Sequence, residues 1–251
     1  MIVMAMAFPF CAQAKYVQGD ANGDNIVNMD DLTALINYLV FGEWPSVPAP
    51  SGKFVDLGLP SGTLWATCNV GATNPEEYGN YYSWGEVAPK ENYAWAAYQW
   101  ATTDGSIHLT KYNTLEANGD VDGKMELDLE DDAAYVNMGS DWRMPSEIQI
   151  KELIQNCTRA WTEVNGVYGQ MLTGPNGNTM FLPAAGYRLG TGSYGLGTNG
   201  HYWTRSLQVV SETYTNPLAA YKTYFNNSGL VLNAGDRNCG FSVRPVRASQ
   251  E

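Results

Sequence analysis

The second half of this sequence is divided into short apolar and aromatic segments by turn residues. From residue 179 onward, glycine and asparagine separate the segments TMFLPAAGYR, HYWTRSL, AAYKTYFNN, GLVLNA and CGFSVRPVR. Short segments rich in β-branched and aromatic residues predict strands, and Asn226 to Gly229 predicts a hairpin turn. Because strands follow one another without intervening helices, the pattern argues against a parallel βαβ sheet and favours an all-β or α+β fold.

Two segments before these strands have helical features. Ser146 and Gln149 form the sequence signature of a capping box at the start of one helix. The residues of this helix that share one face are Ile150, Leu153, Ile154 and Cys157. A shorter helix is predicted over Glu130 to Val136, with Asp131 and Asp132 at its positive end. Together with the strands, the two helices predict an α+β domain.

The composition is that of a folded acidic protein. The 251 residues are 44% hydrophobic and 12% aromatic, whereas disordered chains contain few aromatic residues. The 14 Lys and Arg against 26 Asp and Glu give a net charge of −12. Nucleic-acid binding is disfavoured because it requires a basic surface. Divalent cations or neutral ligands suit this charge better.

The first 14 residues predict a signal peptide. MIVMAMAFPFCAQA is apolar and ends in Ala12-Gln13-Ala14, which matches the small residues required for cleavage before Lys15. An N-terminal core strand is the alternative. The segment is too short to span a bilayer, and no other segment approaches 18 apolar residues. We therefore expect no membrane span and a secreted or cell-surface location. Residues 44–52, WPSVPAPSG, predict a linker between residues 19–43 and a main domain at 53–247.

Residues 20 to 31 have the spacing of a calcium-binding loop. Side-chain oxygens stand at positions 1, 3, 5, 9 and 12 of twelve, and a backbone carbonyl is available at position 7. These ligands are Asp20, Asn22, Asp24, Asn28, Asp31 and the carbonyl of Ile26. Hard oxygen ligands in this order favour Ca²⁺. Asn25 stands at position 6 in place of the usual glycine, and asparagine also tolerates positive φ. The alternative is a turn that caps the following helix without a metal.

With these ligands, the segment GDANGDNIVNMDDLTALINYL resembles one repeat of a type I dockerin, a module that binds a cohesin. The resemblance implies that positions 10 and 11 of the loop, Met29 and Asp30, contact a cohesin-like partner. Dockerins normally carry two repeats. The nearest second candidate, around Asn118 to Glu126, has Leu129 where position 12 requires a carboxylate.

The main domain resembles the Fibrobacter succinogenes major paralogous domain, which is common in exported Bacteroidetes proteins. The motifs that carry this resemblance are VDLGLPSGTLWAT, YYSWGEVAPK, LEDDAA, DWRMPSEIQIKEL, FLPAAGYR, YWTRS and GFSVRPVR. The resemblance implies a C-type lectin-like fold of short antiparallel strands with one or two helices. This architecture also occurs in formylglycine-generating enzymes. We also expect the first and last motifs to lie next to each other.

Aromatic residues suggest where a ligand binds. Trp95 and Trp100 fall in a short aromatic segment, and exposed rings can stack on sugar faces. In a lectin-like fold, the glycine-rich residues Leu189 to Gly200 are expected to form the long ligand-facing loop, with Tyr194 and Asn199 as its most useful side chains. A flexible loop without function is the alternative. The tryptophans expected to be structural are Trp65, Trp84, Trp142 and Trp203.

The sequence favours binding over catalysis. A glycosidase pair could be chosen among Glu86, Glu126, Glu130, Asp131 and Asp132, but any acidic domain contains such pairs. A formylglycine-generating oxidase requires two cysteines in the C-terminal part, where only Cys239 is present. With Cys68 and Cys157, the mature chain allows at most one disulfide, and buried unpaired thiols are expected. We therefore expect an exported recognition protein that binds glycan or protein. The alternative is an accessory polysaccharide hydrolase or a formylglycine-generating-like oxidoreductase.

Overall fold

The structure, a computed structural model, describes residues 54–211 and 214–247. The predicted signal peptide, calcium loop and linker lie outside the described residues. The strands are β1 Phe54–Asp56, β2 Leu64–Ala66, β3 Ala101–Thr102, β4 His108–Leu109, β5 Thr158–Val164, β6 Val167–Thr173, β7 Thr179–Pro183, β8 Ala185–Leu189, β9 Gly192–Leu196, β10 Asn199–Ser211, β11 Tyr214–Asn226, β12 Gly229–Asp236 and β13 Val246–Arg247. The helices are α1 Ala133–Met138 and α2 Glu147–Asn156. The described part is therefore mostly β, with two helices, and the coarse α+β prediction is confirmed.

The strands form four sheets. The largest has the order β12-β11-β10-β8-β9, and the others are β5-β6-β7, β1-β2-β13 and the pair β3-β4. Neighbouring strands are antiparallel except β8 and β10, which meet in parallel where Gly186 is opposite Gly200. In the small sheet, Val246 pairs with Trp65, so the first and last motifs of the domain are neighbours as expected.

The hairpin between β11 and β12 fixes the register of the largest sheet. Asn226 is opposite Gly229, and the Asn226 side-chain oxygen accepts hydrogen bonds from the Ser228 and Gly229 amides. The predicted turn is therefore confirmed. The same register places Lys222 opposite Asn233, and each residue pair along the two strands shares one face of the sheet.

The capping box predicted at Ser146 is present. The Ser146 hydroxyl accepts from the Gln149 amide at 3.2 Å, and the Gln149 side chain accepts from the Ser146 amide at 2.9 Å. Ile150 and Leu153 are buried in the core, and Ile154 and Cys157 pack against it, as the helical face predicted. Two orphan backbone donors are thus satisfied at the start of α2.

The shorter helix begins later than predicted. Leu129–Asp131 forms a 3₁₀ turn, and α1 starts only after Asp132. The Asp132 carboxylate caps α1 by accepting from the Ala134 and Tyr135 amides and also contacts Arg143. An N-cap residue has extended backbone geometry, so the capping aspartate interrupts the helix that the sequence suggested from Glu130 onward.

Three other predictions need correction. Leu189 to Gly200 is not a long loop, because it forms the end of β8, the whole of β9 and the start of β10. TMFLPAAGYR contributes to two sheets, since the chain leaves β7 at Pro183 and enters β8 at Ala185. In CGFSVRPVR, regular pairing is confined to β13, and Gly240 to Ser242 make isolated bridges to three different segments.

The core contains the four tryptophans expected to be structural. Trp65, Trp84, Trp142 and Trp203 are each at most 1% exposed. The indole nitrogens of Trp84 and Trp203 donate to the carbonyls of Thr204 and Tyr82. These rings therefore pack the domain and are not available to a ligand. No helix within the described ranges is long and apolar enough to cross a membrane.

Candidate functional site

One face of the largest sheet brings together aromatic rings and two buried basic side chains. Lys222 and Tyr224 alternate along β11 and therefore share a face. His201 on β10 is directly opposite Tyr224, and Tyr187 on β8 is opposite Tyr194 on β9. We call the surface formed by Tyr187, Tyr194 and Tyr224 the tyrosine face, and Lys222 and His201 lie beneath it.

Lys222 and His201 form a buried pair of basic groups. Lys222 Nζ lies 2.6 Å from His201 Nδ1, and the two residues are only 6% and 8% exposed. Among the described residues, no carboxylate forms an ion pair with Lys222. Its ammonium instead lies 5.4 Å from the centre of the Tyr224 ring and 4.9 Å from that of Phe241. Cation–π contacts therefore supply part of the electrostatic support that a carboxylate would give.

Burial determines the charge states of this pair. It lowers the pKa of Lys222 from its ordinary value of 10.5 to about 8, because the charged amine is removed from water. The pKa of His201 falls to about 3, first through burial and then through the positive charge of Lys222. His201 is thus neutral at physiological pH, and its Nδ1 accepts a hydrogen bond from the lysine ammonium. Burial also raises the pKa of the neighbouring Cys239 thiol to about 11.

Aromatic contacts hold His201 in place. The Tyr187 and His201 rings are 4.8 Å apart between centroids, Tyr224 meets His201 edge-on at 5.1 Å, and Phe241 lies at 5.0 Å. Phe241 in turn packs on Trp203 at 4.2 Å. Offset and edge-to-face pairs are the favoured arrangements of aromatic rings. This cluster therefore fixes the orientation of the His201 imidazole that accepts the hydrogen bond from Lys222.

Two glycines make room for the site. A Cβ at Gly235 on β12 would lie 2.7 Å from the Phe241 ring and 3.1 Å from Lys222 Cδ, so the missing side chain gives space to both. A Cβ at Gly192 would lie 2.7 Å from the Tyr194 hydroxyl, because the Tyr194 ring lies back over the start of β9. Larger residues at these positions would displace the groups that form the floor and the rim of the site.

Tyr194 is the most exposed ring of the tyrosine face. Its side chain is 48% exposed and stacks on Tyr187 with 5.3 Å between centroids and an interplanar angle of 25°. Tyr187 and Tyr224 are half-buried, and Asn233 is exposed opposite Lys222. The sheet thus carries an exposed stacked ring on its β9 edge and an exposed amide on its β12 edge, and such groups bind sugars through ring stacking and hydroxyl hydrogen bonds.

The structure places the four predicted ligand-binding residues in different surroundings. Tyr194 lies in the tyrosine face, and half-buried Asn199 is the first residue of β10, with its amide against Gly195. Trp95 packs edge-on against Tyr98 at 5.5 Å. Trp100 donates from Nε1 to the Gly85 carbonyl at 2.7 Å and carries Lys111 over its ring. Neither tryptophan is among the rings around Lys222. That Trp95 and Trp100 bind a ligand stays a prediction.

The carboxylates considered for catalysis are mostly held by basic partners. Glu86 pairs with Lys90, Asp131 with Lys111, Asp132 with Arg143 and Glu126 with Arg205. Lys111 is 3.9 Å from Glu130.

The cysteines and other metal-binding residue types are dispersed. Cys68 and Cys239 are buried free thiols, as expected, and Cys157 is a half-buried free thiol. Within residues 54–211 and 214–247, no group of three or more His, Cys, Asp or Glu side chains is placed to hold a metal ion. The predicted calcium ligands Asp20 to Asp31, and Met29 and Asp30, lie outside the described residues.

Sequence reasoning missed Lys222, His201 and Tyr187. A signal was present in AAYKTYFNN, where a lysine stands between aromatic residues in a segment that is predicted to be a strand. The two-residue period of a strand puts that lysine on the same face as Tyr224, and a lysine between core strands is rarely buried without a reason. No family model, curated protein or solved structure matches this chain.

Proposed function

We propose that this chain is an exported, non-catalytic recognition protein whose C-type lectin-like domain binds glycan on the tyrosine face. The observation that carries the proposal is the Tyr194 ring, which is half-exposed and stacked on Tyr187, whose ring in turn contacts His201. Stacked aromatic side chains that remain open to solvent present a flat apolar surface, and this is complementary to the C–H face of a sugar ring.

Polar groups on the other strands of the same sheet suit a hydroxylated ligand. Asn233 is exposed on β12 and can hydrogen-bond to sugar hydroxyls. Lys222 gives the floor a positive charge that attracts ligand oxygen atoms. This positive charge lies in a chain whose net charge is −12.

The N-terminal segment is proposed to serve attachment. The ligand spacing from Asp20 to Asp31 supports a single Ca²⁺ site in a dockerin-like repeat, and Met29 and Asp30 would contact a cohesin-like partner. The Pro/Ser linker at residues 44–52 would then join this repeat to the recognition domain at the cell surface.

A glycan array with matched variants tests the proposal. Tyr194→Ala removes the exposed ring, and we expect a loss of about 5- to 10-fold in affinity for any glycan that the wild type binds, since a stacked ring contributes about 1 kcal/mol. Tyr168→Ala is the control, because Tyr168 is also an exposed tyrosine, 46% against 48%, but lies on the β5-β6-β7 sheet. We expect it to retain full affinity.

Three results would contradict the proposal. If the wild type binds no glycan on the array, the proposed function is wrong. If Tyr168→Ala loses glycan affinity and Tyr194→Ala does not, the binding site lies on the β5-β6-β7 sheet instead. Release of reducing sugar ends from a bound polysaccharide would show catalysis and favour the accessory hydrolase. In that case a carboxylate-to-amide substitution that abolishes turnover would identify the catalytic residue.

A further inference from the structure

A cavity lies between α2, the start of β5 and the start of β12. Its volume is about 280 Å³, and its floor is formed by the buried side chains of Leu153, Leu172 and Leu230. Leu230 and Val231 are successive residues of β12, with Leu230 in the core and Val231 exposed beside the tyrosine face. The cavity therefore lies on the other side of the sheet from the tyrosine face and is independent of the proposed glycan site.

The wall of this cavity adds no charge at neutral pH. Ile154 and Cys157 are both half-buried and pack against the core. The pKa of the Cys157 thiol is raised by burial and by the charge of Glu152, so the group stays an uncharged thiol. The nearby Glu152 carboxylate already has hydrogen-bond partners. It accepts hydrogen bonds from the Ser61 amide at 2.8 Å and from the Ser61 hydroxyl at 2.6 Å.

The mouth carries a cation that lacks a counterion. Thr158 and Arg159 are exposed at the opening. In the part of the chain that the structure describes, the Arg159 guanidinium makes no ion pair and no side-chain hydrogen bond. Its Nη1 is instead placed beside the β11-β12 turn, 3.5 Å from the position that a Cβ on Gly229 would occupy. All five of its N–H donors therefore remain available to a ligand.

We propose that this cavity binds a small carboxylate with an apolar body, such as a medium-chain fatty acid. The leucine floor takes the hydrocarbon chain, and Arg159 receives the carboxylate through two parallel N–H···O hydrogen bonds, with Thr158 as a third donor. The volume lies just below the usual range for sites of drug-sized molecules and so suits a small ligand. A guanidinium matches a carboxylate in both charge and geometry, so a neutral analogue loses most of the recognition.

Calorimetric titration of the full chain with octanoate and with 1-octanol tests this assignment. The wild type is expected to bind octanoate at least tenfold more tightly than the alcohol, because the alcohol cannot form the charge-assisted hydrogen bonds that the carboxylate makes with Arg159. Arg159→Gln should weaken octanoate binding about tenfold or more and leave 1-octanol binding within twofold. Ile154→Trp fills the cavity and should weaken both.

Lys151→Gln is the matched control. Lys151 is an exposed residue of α2 paired with Glu147, so its substitution removes one positive charge near the cavity without touching the lining. We expect unchanged octanoate affinity in Lys151→Gln and in Tyr194→Ala. The assignment is overturned if octanoate does not bind the wild type, if Arg159→Gln binds it as well as the wild type does, or if Lys151→Gln weakens it equally. Because Arg159 is exposed, its variant tests the charge contact without disturbing the core.

Discussion

Substitution of Lys222 by methionine should change the stability of the domain in a way that depends on pH. The lysine ammonium is buried, and burial lowers its pKa from 10.5 to about 8. At about 1.4 kcal/mol for each tenfold change in an ionisation constant, this difference corresponds to about 3 kcal/mol of unfavourable charge burial at pH 7. Methionine has a similar length and carries no charge, so Lys222→Met removes this cost.

The lost contacts offset part of the gain. Without the lysine, His201 Nδ1 lacks the partner that now lies 2.6 Å away, and an unsatisfied buried acceptor costs about 1–3 kcal/mol. At pH 7 we therefore expect the free energy of unfolding of Lys222→Met to equal that of the wild type or to exceed it by up to about 2 kcal/mol. A buried charge replaced by a well-packed apolar residue is often neutral or stabilising in this way.

The pH dependence of the difference is the sharper observable. The folded-state pKa of Lys222 lies below its unfolded value, so between about pH 8 and pH 10.5 the unfolded wild type binds more protons than the folded one. Wild-type stability therefore rises with pH across this window relative to Lys222→Met. The advantage of the variant should fall by about 3 kcal/mol from pH 7 to pH 10.5. Deprotonation of the tyrosines affects both proteins and cancels in the difference.

Urea unfolding followed by tryptophan fluorescence measures this difference at several pH values between 7 and 10.5. Lys151→Met is the control, because Lys151 is exposed and its removal should change stability by less than about 0.5 kcal/mol at every pH. A stability difference between wild type and Lys222→Met that stays constant from pH 7 to pH 10.5 would refute the reasoning. It would mean that Lys222 is solvated or paired in the folded protein.

Three further predictions concern other elements. Gly192→Ala should push the Tyr194 ring out of its position over β9 and weaken glycan binding several-fold with little loss of thermal stability; unchanged affinity on the array would count against the role of this ring. Ser146→Ala removes the cap of α2 and should lower the free energy of unfolding by about 1 kcal/mol, measured by urea titration, and a neutral effect would show that the capping box is not stabilising. The full chain should bind one Ca²⁺ with a dissociation constant of roughly 10⁻⁶ to 10⁻³ M. Calorimetry should show that Asp20→Ala abolishes Ca²⁺ binding and that Asn118→Ala retains it. If Asp20→Ala still binds Ca²⁺, the loop from Asp20 to Asp31 is not the calcium site.

Local chemistry made several features predictable from the sequence. Ser146 and Gln149 stand three residues apart, and the capping box they form involves only one turn of backbone. The Asn226 to Gly229 turn is equally local, because the asparagine side chain bonds to amides two and three residues ahead. Burial of Trp203 also followed from the sequence, since a large ring in an apolar strand is expected in the core.

Tertiary structure decided the site. Lys222 and His201 are 21 residues apart in sequence, and only the register of β10 against β11 brings their nitrogens together. Gly186 and Gly200, which meet in the parallel contact between β8 and β10, bring Tyr187 next to His201. The turn residues between Leu189 and Gly200 suggested a loop, but antiparallel pairing of β9 with β8 made this segment β-structure. Local patterns determine turns, caps and burial because the groups involved are neighbours in the chain. Strand order and register depend on the combined packing of the whole domain, and no single segment specifies them.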